Sequence, residues 1–275
     1  MRPSWRRQAC GRRSNRLKPF SGAARPRWSF DALMSRSLHP SPLHYAQPRQ
    51  FWALARLLEP LGWLMAALCI AGGVTLMLLA PPDYRQGEAV RLLFLHVPNA
   101  WMALLVYSAI AAASAWGLVF RHALAHVFAR AALLPGAAFT LITLLTGALW
   151  GKPVWGVFWV WDARLTSVLV LLLLYLGLMA LWEALGDPQT AAKPAAILAV
   201  AGFVNVPIVK FSVDWWNTLH QPASLSRLAA PALHSEFLWP LVLMVCGWMA
   251  LFVALICLRM RTALLERALA RREAA

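Results

Sequence analysis

Six runs of apolar residues, each close to the length needed to cross a bilayer, constrain this chain more than any other feature. They fall at roughly 61–80, 98–120, 130–149, 165–185, 194–211 and 237–258. A helix spanning the hydrocarbon needs about 20 such residues. Only helices and closed barrels satisfy their backbone polar groups there. The fold class expected is therefore an all-α integral membrane protein of six transmembrane helices. The fifth run is the weakest, being short and interrupted by Pro207. Composition agrees: 13% of residues are charged, against about 25% in a soluble domain.

The net charge of +15 would suggest nucleic acid in a soluble protein. Its distribution argues otherwise. Twelve of the 26 Lys and Arg precede residue 57, and five follow residue 258. Basic residues concentrate on the cytoplasmic side of membrane proteins. With a cytoplasmic N-terminus, the inner segments are 1–60, 121–129, 186–193 and 259–275, and they hold those two clusters plus Arg121 and Lys193. The outer linkers then hold Arg85, Arg91, Lys152, Arg164, Lys210 and Arg227. Both termini are expected in the cytoplasm. The domain plan is a basic, disordered extension at 1–55, a six-helix membrane domain at 56–260 and a basic cytoplasmic tail at 261–275. No apolar core follows the first basic cluster closely enough for a cleavable signal peptide, and Met34 offers an alternative start.

This arrangement puts three linkers on the outer face: 81–97, the stretch 150–164 and 212–236. The second reads WGKPVWGVFWVWDAR and holds Trp150, Trp155, Trp159 and Trp161, where the chain's 15 Trp in 275 residues would place about one. Two readings fit. Tryptophan suits the membrane–water boundary, and its flat face suits a flat conjugated ligand. His96 stands just before Pro98 in the first outer linker, and His220 follows Trp215 and Trp216 in the third. Either alone reads as an interfacial residue. Together they are two imidazoles able to ligate a haem iron from opposite sides. His234, beside Glu236, is a reserve ligand, whereas His122 and His126 read as an inner helix surface. Arg164 is the best partner for a carboxylate, with Lys152, Arg85 and Arg91 behind it. It is expected also to pair with Asp162 at a helix start, and Asp214 to orient a histidine. The four cysteines show no C-x-x-C spacing and read as packing residues.

The stretch WGKPVWGVFWVWDARLTS resembles the tryptophan-rich WWD signature of haem-handling membrane proteins. LFLHVPNAW before it and VDWWNTLHQPAS after it resemble the flanking histidine segments of the haem exporter protein C (CcmC) family. The similarity runs from about residue 60 to 260. It implies a non-enzymatic protein of the bacterial inner membrane, acting in cytochrome c maturation. It implies non-covalent haem b at the outer, periplasmic face, with His96 and His220 as axial ligands. Trp150, Trp155, Trp159, Trp161, Asp162 and Arg164 would complete the cofactor site. The implied partners are the haem chaperone CcmE, the small subunit CcmD and the CcmA/CcmB ATP-binding cassette transporter, within lipid and without nucleic acid.

Two other classes compete. A secondary transporter would normally carry ionisable residues within its spans, and these spans hold almost none. A scaffold subunit would carry no haem of its own. No Walker motif is present, so nucleotide hydrolysis is not expected of this chain.

Overall fold

A computed structural model describes residues 48–220 and 233–273. The order is α1 (Pro48–Leu79), a 3-10 turn (Glu88–Leu92), α2 (Leu93–Phe120), α3 (Ala123–Trp155), α4 (Ala163–Leu185), α5 (Pro188–Gly202), α6 (Asn205–Trp215) and α7 (Ser235–Glu273). No strand occurs among the described residues; one isolated bridge joins Asp83 and Gly87. Among the described residues, six helical stretches are long and apolar enough to cross a membrane, with α5 and α6 together forming the fifth. The protein is an all-α multi-pass membrane protein, as the apolar runs require.

The helices begin earlier or run longer than the apolar runs. α2 starts at Leu93, so His96 and Pro98 lie within its first turns and not in a linker. α3 absorbs the segment expected as an inner linker, leaving only Arg121 and His122 between α2 and α3. Arg121 adopts a left-handed φ of 53°, and the His122 side chain accepts the Ala125 N–H as an N-cap. α7 continues through the basic C-terminal segment to Glu273. The polar turns at these helix ends keep helical geometry because chain outside the hydrocarbon still gains from uninterrupted hydrogen bonding.

The fifth crossing breaks where the sequence marks it. Proline lacks an N–H, and its ring collides with the carbonyl of the residue four before it. For Pro207 that residue is Phe203, and the helix is interrupted between Gly202 and Asn205. The Phe203 and Val204 N–H groups donate instead to Val200 and Ala201, three residues back, at 3.2 and 3.4 Å. Asn205 ties the break to α4 by donating to the Ser167 carbonyl at 2.9 Å.

α1 packs mainly along α7, and α2 along α3, with α4 and α5 closing the other side. The core includes Tyr107 and Tyr175, edge to face at 5.1 Å, and Tyr175 donates to the Ala103 carbonyl at 2.8 Å. α1 leaves Leu57, Leu64, Leu68 and Leu79 exposed. In lipid such apolar surface carries no penalty. At one end of the bundle lie Gln86, the start of α2, the end of α3, the start of α4 and the chain after α6. That end holds the site.

Candidate functional site

α3 supplies the first half. Thr146 and Trp150 are four residues apart and so share a helix face. The Thr146 hydroxyl donates to the Ile142 carbonyl at 2.7 Å and faces His96 Nδ1 at 3.1 Å. Its single proton is committed to the backbone, so its oxygen accepts and His96 Nδ1 carries the hydrogen. That makes His96 Nε2 the unprotonated nitrogen, the one that carries the lone pair. Trp150 meets the same imidazole edge to face at 5.7 Å, and its own N–H donates to Gln86 at 2.8 Å. Gly147 allows this approach, because a Cβ there would sit 3.0 Å from His96 Cε1.

Asp162 organises the second half. One carboxylate oxygen accepts the Leu165 N–H at 2.7 Å and caps α4. The other lies 3.2 Å from His220 Nδ1. That contact again places hydrogen on Nδ1 and makes Nε2 the lone-pair nitrogen. The Asp162 side chain is only 6% exposed and that of His220 18%. Burial lowers the His220 pKa from its ordinary 6.5, with Asp162 pulling it back up, so the imidazole is neutral at pH 7. Trp155 packs edge on against His220 at 4.8 Å. Gly156, with φ of 80°, ends α3 just beyond it and lets the chain turn toward Asp162.

Each histidine is thus braced by one tryptophan from the end of α3 and by one polar side chain. His96 lies within electrostatic range of His220, and the Arg164 guanidinium is within range of both. Trp159 and Trp161 pack on each other at 5.3 Å. The Trp159 N–H is buried without an acceptor among the described residues, while Trp161 is 75% exposed.

Two charge expectations need correction. Arg164 does not spend its hydrogen bonds on Asp162: it donates to the Ser212 hydroxyl at 3.1 Å and the Lys210 carbonyl at 3.3 Å, both on α6. Capping turns the Asp162 carboxylate toward Leu165 and His220. The acid that orients a histidine is therefore Asp162 and not Asp214, while the charges of both carboxylates act on Arg164, that of Asp162 the more strongly. The reserve cations are otherwise engaged. Arg91 donates to the Met77 and Leu78 carbonyls at the end of α1, Lys152 to the Gly156 carbonyl, and Arg85 lies over Tyr84. His234 is exposed and contacts Glu236 at 3.5 Å. Sequence reasoning missed Thr146, Gly147 and Gln86. Thr146 alone left a signal, its four-residue spacing from Trp150.

Fold and site together define a class: multi-pass helical membrane proteins with paired histidines and clustered tryptophans at one end. The family profile described as Heme exporter protein C matches residues 42–275. Heme exporter protein C of Bradyrhizobium diazoefficiens is 52% identical over 224 residues, which are 81% of this chain and 84% of that protein. Its namesake in Haemophilus influenzae is 43% identical over 235 residues, covering 85% and 94% of the two chains. A ccmC-like mitochondrial protein of Marchantia polymorpha, whose name cites cytochrome c biosynthesis, is 46% identical over 189 residues, 69% and 78% of the two. The chain belongs to the Heme exporter protein C family.

Proposed function

We propose that this protein takes part in haem export for cytochrome c maturation, holding haem at the periplasmic face of the bacterial inner membrane and passing it to the chaperone CcmE. His96 and His220 are the axial ligands, each through Nε2, and the haem is b-type, held without a covalent bond. The observation that carries the reading is that two histidines on different elements, each with Nδ1 engaged by a polar side chain, stand at one end of the bundle with Nε2 as the lone-pair nitrogen. The donor set suits the cargo. Neutral imidazoles ligate haem iron, tryptophan faces accept a flat apolar ring, and the unpartnered Trp159 N–H and the Arg164 fork suit the propionates.

The relatives' names support haem as the cargo. The role read here is binding haem and helping to attach it to the chaperone, rather than enzymatic turnover. The family resemblance points to CcmD and the CcmA/CcmB transporter as the neighbours. The basic bias of the chain ends supports cytoplasmic termini and a site on the outer face.

The test is to purify the protein with its complex and measure haem per protein in His96→Ala and His220→Ala. Both variants are expected to bind haem more weakly and with an altered spectrum, and added imidazole to restore the bound spectrum by filling the vacant position. Haem content and spectrum unchanged in both would overturn the ligand pair.

A further inference from the structure

We infer that the two sides of the site are unequal: Asp162 makes His220 the ligand that stays, and His96, backed by the Thr146 hydroxyl, is the ligand that lets go when haem leaves. This rests on the haem-handover reading above.

The two imidazoles are held by the same atom at nearly the same distance, 3.1 Å to Thr146 and 3.2 Å to Asp162. The acceptors differ in charge. A hydrogen bond to a carboxylate is roughly twice as strong as one between neutral groups, and it raises the basicity of a ligating imidazole. At 6% exposure the Asp162 side chain is little screened by water. It cannot easily swing away either, since its other oxygen caps α4. The Thr146 oxygen is neutral, and its proton already serves Ile142. It orients His96 without adding charge behind it. His220 is therefore the stronger donor to iron.

Placement fits this division. His96 is built into the first turn of α2, against Trp150 and Gly147, so it is fixed in place and release there requires no helix to move. The iron–Nε2 bond to His96 breaks with its electron pair remaining on nitrogen. The opened position then accepts a ligand from the receiving protein. This ligand exchange would by itself need no electron or proton, and His220 would hold the haem during it.

The test compares four variants of the full-length protein in its complex: His96→Ala, His220→Ala, Asp162→Asn and Thr146→Val. Asparagine caps a helix as well as aspartate does, so Asp162→Asn removes the charge while keeping the start of α4. Haem loss is followed by transfer to excess apomyoglobin, alongside the absorption spectrum. His96→Ala should retain a five-coordinate haem and lose it at least tenfold more slowly than His220→Ala. Asp162→Asn should speed loss by about tenfold or more, and Thr146→Val by only a few-fold. Equal rates for the two histidine variants, or the reverse order, would overturn the inference even if Asp162→Asn failed to fold. A wild-type protein without haem, or histidine variants with the wild-type spectrum, would instead remove the haem reading on which it rests.

Discussion

Trp155 and Trp161 belong to one short motif, yet their surroundings differ. Trp155 packs on the His220 ring, so its loss frees an imidazole. An aromatic contact of this kind contributes about 0.5–1.5 kcal/mol. Trp161 is 75% exposed and leans on Trp159, so its loss removes apolar surface offered to a ligand and little internal packing. Losing one such face costs on the order of 1–3 kcal/mol of binding. Trp155→Ala and Trp161→Ala should both lower haem per protein while membrane abundance holds. Imidazole should rescue Trp155→Ala, whose defect lies in the position of His220, and leave Trp161→Ala unrescued. An identical response of the two variants to imidazole would return the whole stretch to the role of an aromatic belt.

At the scale of elements, the broken fifth crossing carries the most consequence. α6 bears Ser212 and Lys210, which hold the Arg164 guanidinium from the far side of the site. The angle of α6 relative to α5 therefore reaches Arg164 through two hydrogen bonds. That angle is set by Pro207 and by the Asn205 bond to Ser167. Pro207→Ala would permit a straight helix, swing the end of α6 and move Arg164. The expected outcome is several-fold lower haem retention with normal membrane abundance, though residue 207 itself takes no part in the site. Asn205→Ala leaves the break but unties it from α4. An interhelical hydrogen bond in membranes averages about 0.6 kcal/mol, so a small fall in detergent melting temperature is expected. Wild-type haem retention in Pro207→Ala would show that the break does not position Arg164.

Across the whole molecule the two ends differ chemically. One end gathers Gln86, Trp150, Asp162 and His220. At the other, Arg259 donates to the Ala131 carbonyl, Arg130 contacts Glu183 at 3.5 Å, and Arg267 faces Arg130 and Arg271. Six crossings separate the ends, and basic residues favour the cytoplasm. A reporter fused after Glu273 should be active only as a cytoplasmic reporter. One inserted at Tyr84, which is exposed beside the site, should be active only outside. The opposite pattern would put the site on the cytoplasmic side and end the periplasmic handover reading.

Hydrophobic length alone was enough for the six crossings, because hydrocarbon leaves a backbone no other partner than its own helix. The Pro207 break was legible for an equally local reason, a missing N–H and a ring in the way. The residue types at the site were visible too: His96, His220, the tryptophans, Asp162 and Arg164 all stand where the helices converge. Their pairing was not visible. Thr146 reaches His96 across 50 positions, and Asp162 reaches His220 across 58. Asp214, much nearer His220 in sequence, is not the carboxylate that meets its imidazole. Capping decides this: the geometry that starts α4 aims one Asp162 oxygen at its own backbone and the other out of the turn. Only the packing of α4 beside α6 determines which histidine that second oxygen meets. Which residues are present is a property of the chain, but which nitrogen of each imidazole carries the lone pair depends on neighbours that only the folded bundle brings together.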